Sequence, residues 1–450
     1  MSTHFIAIGG AGMSVVAELL LAQGEQVSGS DIQDSATLRR LERLGARVHV
    51  GHAGEHLRDA DRVVVSTAIR EDNVELIAAR CRGLPVLHRS QALARAATDR
   101  TFVAVAGAHG KTTTSAMVAI GLRSAGTDPS FAIGAPVLAL GTGAHLGSGP
   151  AFVAEADESD GSFLNYTPQI AVVTNIEPDH LDHYGTPEAF EAAFAAFARQ
   201  VAGGGLLIAC ADDAGAARLA RAAAAEGIRV QTYGAAPEAD VRIESVRLTG
   251  RAAGGRLIST LGAVQLDVAV PGEHNLRNAT AAWCVGIELG VDPAQMARAL
   301  AEFTGTARRF EDRGMAGGVR VIDDYAHNPA KVAAALGAAR RRAGAGRLIA
   351  LFQPHLYSRT QAFAEQFARA LQAADDVILA PIFPAREDAI PGVSSALIAE
   401  RMDQAHVAHD LAAAADLAAG LAEPGDLVLT IGAGDVTTAA PAILDRLGRR

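Results

Sequence analysis

The stretch Phe102-Val103-Ala104-Val105-Ala106-Gly107-Ala108-His109-Gly110-Lys111-Thr112-Thr113-Thr114 decides the fold. Phe102 to Val105 is an apolar run that reads as a buried strand, and Ser115 to Leu122 reads as a helix. Strand, glycine loop, lysine, hydroxyl and helix together build a triphosphate cradle. Backbone N–H groups of such a loop face the phosphates, and the helix N-terminus adds a favourable dipole. Lys111 is placed to reach the outer phosphates and Thr112 to face Mg²⁺. The spacing departs from the standard loop. Val105 stands where that pattern has its first glycine, and Gly107 opens a shorter loop that contains His109. The plain alternative is a Gly-Lys-Thr turn capping an ordinary helix; the strand before it and the helix after it favour the cradle.

The chain around this loop has 450 residues, room for about three domains of ~150 residues each. An apolar fraction of 49% supplies sizeable cores. A net charge of −10, a pI near 5.8 and the lack of a basic stripe argue against a nucleic-acid partner. Cys81, Cys210 and Cys284 are far apart, fit no zinc spacing and point to a reducing compartment. Met1-Ser2-Thr3-His4 leads straight into a strand, so no signal peptide is expected. No apolar stretch approaches the ~20 residues of a membrane span. A cytoplasmic protein with no membrane partner, a monomer or weak homodimer, is the expectation.

Apolar runs alternate with helical patterns throughout, the mark of parallel α/β sheets. The first segment offers strands at His4 to Ile8, Gln26 to Ser30, Arg62 to Ser66 and Pro85 to Leu87, with a helix near Ser14 to Gln23. The second offers strands at Ala151 to Ala154, Ile170 to Thr174 and Leu206 to Ala209, then hairpin-like stretches at Val241 to Leu248 and Arg256 to Val270. The third offers Val319 to Ile322, Leu348 to Phe352, Val377 to Ala380 and Leu427 to Ile431. Three α/β domains, 1–99, 100–306 and 307–450, are expected.

Each segment carries polar motifs at strand ends. Gly9-Gly10-Ala11-Gly12-Met13-Ser14 follows the first strand, and Asp31 ends the next, where an acid often meets a ribose. This is a pyrophosphate-binding turn or a tight helix–strand packing turn, and the third fingerprint glycine is replaced by Val15. Glu155 opens the acidic run Glu155-Ala156-Asp157-Glu158-Ser159-Asp160 and is placed to hold Mg²⁺ beside the cradle. Asp157, Glu158 and Asp160 read individually as a solvated turn. Thr174 to His183 follows the next strand and brings carboxylates and imidazoles suited to a divalent ion. Asn275 and Asn278 read as caps of a helix from Ala279 to Leu289. Asp323-Asp324-Tyr325-Ala326-His327-Asn328-Pro329 and Phe352 to Arg359 present polar groups at a sheet edge, and Arg359 suits a carboxylate.

Read in order, HFIAIGGAGMS, SGSD, AGAHGKTTT, EADESDGSF, TNIEPDHLDHY, PGEHNLRNA, RRFE, DDYAHNP, FQPHLYSRT and LTIGAGDV resemble the Mur ligase family over nearly the whole chain. The resemblance implies a Rossmann-like UDP-substrate domain, a central P-loop ATPase domain and a Rossmann-like C-terminal domain. It implies an ATP-dependent ligase with Mg²⁺. ATP phosphorylates the lactyl carboxylate of UDP-N-acetylmuramate, and L-alanine attacks the acyl phosphate, in peptidoglycan precursor synthesis. By resemblance, Gly107, Ala108, His109, Gly110, Lys111, Thr112, Thr113, Asn275, Arg309 and Asp324 hold ATP. Thr112, Glu155 and His180 hold Mg²⁺, and Lys111, Glu155, His180, Arg309 and Asp324 are the catalytic set. Gly9, Gly10, Ala11, Gly12, Met13, Ser14, Asp31 and Ser66 meet the UDP part, and Tyr325, His327 and Arg359 line the amino-acid side. Ala108 replaces a usual Thr, Leu356 stands where many members carry Arg, and Ala326 and Asn328 replace the commoner Gly and His.

Two rivals stand beside this reading. A murein-tripeptide recycling ligase of the same family acts on the same sugar nucleotide, but EADESDGSF favours the alanine-adding branch. An NAD-dependent dehydrogenase accounts only for the first glycine turn and leaves the cradle and acidic loops unexplained.

Overall fold

A computed structural model describes residues 1–385 and 387–449, with every side chain among them except those of Leu181 and Asp182. The chain forms two compact units, Met1–Thr306 and Ala307–Arg450. Among the described residues no helix is long and apolar enough to cross a membrane.

The first unit carries two sheets. The smaller is wholly parallel, in the order Arg47–Val50, Gln26–Asp31, Ser2–Ile6, Arg62–Val65, Val86–His88. Strand order reverses at Ser2–Ile6, so the glycine turn after it opens at the switch point, where such sheets receive ligands. The strand starts earlier than the apolar run suggests. Thr3 and His4 are as buried as Phe5: Thr3 accepts from Arg62 Nε at 2.9 Å, and His4 Nδ1 lies 2.9 Å from Ser28 Oγ. Arg47–Val50 has no apolar signature because no residue in it is fully buried.

One buried acid ties this sheet to its loops. Glu75, in the first turn of helix Val74–Cys81, is fully buried. Its carboxylate accepts from Ser30 Oγ at 2.5 Å, Ala53 N–H at 3.1 Å and His56 Nδ1 at 2.8 Å, with His52 Nδ1 at 3.3 Å and His4 Nε2 at 3.5 Å. Burial by itself raises this carboxyl, but the bonds from His4, Ser30 and His56 outweigh it and pull it down to about 2.

The larger sheet has ten strands. Its order is Gly262–Val268, Ala253–Ser259, Val241–Leu248, Arg229–Gly234, Leu206–Cys210, Ile170–Val173, Thr101–Ala106, Ala151–Glu155, Ser130–Val137, Thr142–His145. Its centre is parallel, and antiparallel pairs extend both ends. The central strands are buried on both faces, which is why they read as unbroken apolar runs. Ser130–Val137 escapes that reading because Gly134 and Pro136 interrupt it.

The second unit holds one sheet, ordered Glu311–Ala316, Val319–Asp324, Leu427–Ile431, Leu348–Phe352, Asp376–Leu379, His406–Val407. All pairs but the first are parallel. Asp324 and Phe352 both register with Ile431, so the polar loops after them leave from one edge.

Glu75 makes the first sheet acid-sensitive. Its folded pKa lies below the unfolded value near 4.5, so its contribution is complete above pH 4.5 and is lost as pH falls toward 2. The shift corresponds to about 3 kcal/mol. Denaturant midpoints measured from pH 6 to pH 2 should fall less steeply for Glu75→Gln than for the wild type. Identical acid slopes would show that the cluster is not formed.

Candidate nucleotide site

Two glycines shape the loop after Thr101–Ala106. Gly107 has φ +137° and Gly110 has φ +85°. A Cβ at Gly107 would lie 2.1 Å from Thr174 Oγ1, and one at Gly110 would lie 2.8 Å from Asn278 Oδ1. Helix Lys111–Ser124 leaves from Gly110 with no side-chain cap, so its first-turn N–H groups lack intrahelical partners and suit an anion.

The neighbouring strand Ile170–Val173 clamps this loop through its exit. Thr174 Oγ1 donates to the His109 carbonyl at 2.6 Å, and Asn175 Nδ2 donates to it at 3.0 Å. Asn175 Oδ1 accepts the His109 N–H at 2.9 Å, and the Asn175 carbonyl accepts the Ala108 N–H at 3.4 Å. This corrects the expectation that the Ala108 and His109 N–H groups face a phosphate. They fix the loop, and the helix Lys111–Ser124 starts just after them at Gly110. The Asn275 and Asn278 expectation also changes. Helix Glu273–Glu288 starts early, from Gly272 at φ +100°, so both asparagines lie inside it. Asn275 Nδ2 donates to the Pro271 carbonyl at 2.7 Å, while buried Asn278 lies against Gly110.

On the loop's other side, Glu155 ends the adjacent strand in register with Val105. Thr112 Oγ1 donates to Glu155 Oε2 at 3.1 Å, and the Gly134 N–H donates to Glu155 Oε1 at 2.7 Å. Lys111 Nζ donates to the Gly107 carbonyl at 2.7 Å and to Glu158 Oε1 at 2.8 Å, with Glu158 Oε2 at 2.7 Å. Burial disfavours the Lys111 charge, but Glu158 and Asp157 more than offset it and hold the ammonium protonated.

The solvated-turn reading of Asp157, Glu158 and Asp160 is therefore corrected. Glu158 is fully buried. Asp157 Oδ2 accepts from Arg89 Nη2 at 2.6 Å; burial raises that carboxyl, yet Arg89 and Lys111 hold it far below the usual range. Asp160 accepts from Thr67 Oγ1 and from the Ser162 N–H at 3.0 Å. His180 sits in the left-handed region at φ +53°, a conformation that costs energy and clusters at functional sites. Its N–H donates to Asp179 Oδ1 at 2.9 Å, and its Nε2 lies 3.6 Å from Glu158 Oε1.

The donor set fits the ion that the loop implies. Among the described residues, no three His, Cys, Asp or Glu side chains converge as a protein-only cage. A threonine hydroxyl beside one carboxylate is how Mg²⁺ is held when phosphates and water complete its shell.

At the first glycine turn, the Gly9 N–H donates to Asp31 Oδ2 at 2.9 Å, so Asp31 braces the turn itself. Ser14 Oγ donates to the Ala11 carbonyl at 3.2 Å, and Met13 is buried. Ser66 follows the strand Arg62–Val65 at the same sheet edge. A Cβ at Gly12 would lie 2.8 Å from Arg89 Nη1, which places that guanidinium between the turn and Asp157.

In the second unit, Arg308 and Phe310, at φ +60° and +51°, bracket Arg309. Arg308 donates to the Gly432 carbonyl at 2.6 Å and the Gly434 carbonyl at 2.9 Å. The Arg309 guanidinium carbon lies 5.0 Å from the Tyr325 ring centroid. Asp324 accepts the N–H groups of Phe310 and Ala326, both at 2.8 Å; burial raises its carboxyl, with Arg309 opposing. His327 Nδ1 lies 3.0 Å from the Tyr325 carbonyl oxygen. Burial, then the charges of Lys331 and Arg359, hold this imidazole well below its usual pKa, so it is neutral at pH 7.

Comparison with known proteins places these features in context. Three sequence profiles match in chain order: "Mur ligase family, catalytic domain" over residues 2–101, "Mur ligase middle domain" over 105–286 and "Mur ligase, glutamate ligase domain" over 308–434. A UDP-N-acetylmuramate–L-alanine ligase of Renibacterium salmoninarum is 55% identical over 446 residues, covering 99% of this chain and 95% of that protein. One from Paenarthrobacter aurescens is 52% identical over 453 residues, covering 99% and 97%. The crystal structure of the UDP-N-acetylmuramate–alanine ligase from Thermotoga maritima matches with a TM-score of 0.83 at 28% identity, covering 99% of both chains.

The clamp makes Gly107 irreplaceable. Gly107→Ala adds a Cβ 2.1 Å from Thr174 Oγ1 at a φ that L residues avoid. Such strain costs about 1–3 kcal/mol. The variant should show a lower denaturation midpoint, and pairing it with Thr174→Ser should recover little, because the hydroxyl remains. An unchanged midpoint in Gly107→Ala would contradict the clamp.

Proposed function

The chain belongs to the Mur ligase family, and on that premise we propose that it is an ATP-dependent ligase joining L-alanine to the lactyl carboxylate of UDP-N-acetylmuramate. The observation that carries the reading is identity above half, over 99% of the chain, to a ligase of that name. The murein peptide ligase of Psychrobacter arcticus shares the fold at a TM-score of 0.77 and 24% identity. The product is a precursor of peptidoglycan.

The residue types suit this chemistry. A carboxylate is a poor acyl donor, because it is anionic and would have to expel oxide. A carboxylate oxygen attacks the γ-phosphorus of ATP, ADP leaves, and an acyl phosphate forms. The unprotonated amine of alanine attacks the acyl carbon, the C–O bond to phosphate breaks, and the amine proton is lost. Phosphoryl transfer asks chiefly for charge neutralisation and alignment. Lys111 and the first-turn N–H groups at Gly110 to Thr113 answer that need, with the loop held by Gly107, Ala108 and His109. Mg²⁺ held by Thr112, Glu155 and His180 would add positive charge at the transferring phosphoryl group.

In this reading Gly9 to Ser14, Asp31 and Ser66 bind the UDP part in a domain of residues 1–99. Residues 100–306 bind ATP, with Asn275 among its contacts. Residues 307–450 supply Arg309 and Asp324 for the nucleotide and Tyr325, His327 and Arg359 for the amino acid. A neutral His327 beside cationic Arg359 suits a ligand whose carboxylate must be held while its amine stays unprotonated.

Purified protein with Mg²⁺-ATP should release phosphate only when UDP-N-acetylmuramate and an amino acid are both present, with L-alanine preferred over glycine and L-serine. Release that ignores either substrate would sink the proposal, and a preference for the murein tripeptide would move it to the recycling ligase. Lys111→Ala should lower turnover about a hundred- to a thousandfold while leaving equilibrium binding of UDP-N-acetylmuramate within about twofold, since transition-state charge stabilisation of this kind is worth about 10²–10³.

A further inference from the structure

The acidic loop contains a carboxylate that the proposed reaction does not use. Glu158 is fully buried, and its only strong partner among the contacts described above is the Lys111 ammonium, at 2.7 and 2.8 Å. The same carboxylate lies 3.6 Å from His180 Nε2. Its backbone is pinned as well: its carbonyl accepts from the Tyr184 hydroxyl and from the Gly161 N–H at 3.2 Å. A fixed peptide thus carries a fixed charge between the lysine of the loop and the histidine that follows the next strand.

We propose that Glu158 is a positioning residue: it orients the Lys111 ammonium for the γ-phosphate of ATP and holds the His180 ring in place. The proposal rests on the ATP reading of the loop. An ammonium has three N–H donors. The Gly107 carbonyl and Glu158 take two, which leaves one for a phosphate oxygen and fixes its direction. A lysine stem has several rotatable bonds, and an unfixed ammonium would sample many placements. The arrangement has a cost with a definite sign. A negative charge beside a triphosphate weakens ground-state binding of the nucleotide. Glu158 therefore trades binding for alignment, and alignment acts on turnover.

That trade separates positioning from a merely structural role. Glu158→Gln keeps the side-chain length and an acceptor oxygen but removes the charge. Isothermal titration with an ATP analogue bearing a β,γ-imido bridge, without Mg²⁺, should show affinity unchanged or up to several-fold tighter. Steady-state kcat should fall at least tenfold, and binding of UDP-N-acetylmuramate should stay within twofold. The Mg²⁺ concentration that half-saturates turnover should rise, and Glu158→Asp should recover part of kcat. Unchanged kcat in Glu158→Gln overturns the proposal. So does joint weakening of both ligands with a lowered melting temperature, which marks a structural role. Should Glu158→Gln fail to fold, Glu158→Asp decides the matter: it keeps the charge but draws it back from Lys111, so kcat should fall with analogue affinity unchanged, and an unchanged kcat overturns the proposal. Wild-type protein that binds no analogue overturns the ATP reading itself, a result distinct from either.

Discussion

An ammonium largely withdrawn from water must be surrounded by acceptors or it destabilises the fold that holds it. The charge of Lys111 is the constraint on which the large sheet's architecture turns. It emerges at the C-terminal end of Thr101–Ala106, and the two strands flanking that one supply what it needs. Ala151–Glu155 leads into the loop bearing Glu158, and Ile170–Val173 leads into Thr174 and Asn175, which hold the loop's backbone. Parallel strands put all three exits at one edge, and so one edge gathers the lysine, its counter-charge and its clamp.

The same acidic loop reaches in a second direction. Asp157 pairs with Arg89, and Arg89 lies against Gly12 in the first glycine turn. Asp160 accepts from Thr67, which follows the strand beside that turn. The run Glu155 to Asp160 therefore reaches the loop after Thr101–Ala106 on one side and the residues around the first glycine turn on the other. In a ligase that must bring a phosphoryl group to a sugar-linked carboxylate, a shared brace of this kind fixes the two halves of the first unit to each other.

Much of this was legible in the residues. Strands buried on both faces advertise themselves as apolar runs, and Gly107 to Thr112 stands out as a glycine loop between a strand and a helix. Arg47–Val50 and Ser130–Val137 did not, because exposure and interrupting residues erase the run. Glu158 escapes a reading of the residues for a related reason. Its neighbours Asp157, Ser159 and Asp160 are polar, and its burial depends on a lysine 47 residues away. Asn175 shows the same limit, since its partner His109 is 66 residues distant. Asn278 reads as a cap only because the apolar pattern begins at Ala279; Gly272 at φ +100° starts the helix at Glu273, six residues earlier.

On this reading ATP activates the lactyl carboxylate as an acyl phosphate that the amine then attacks. Isotope transfer tests it directly. UDP-N-acetylmuramate carrying ¹⁸O in both lactyl carboxylate oxygens would be turned over with ATP and L-alanine, and the released inorganic phosphate analysed by mass spectrometry. The bridging oxygen of an acyl phosphate comes from the carboxylate and leaves with phosphate, so each phosphate released in coupled turnover should carry one ¹⁸O. Phosphate free of label, alongside formation of the amide, would rule the acyl phosphate out.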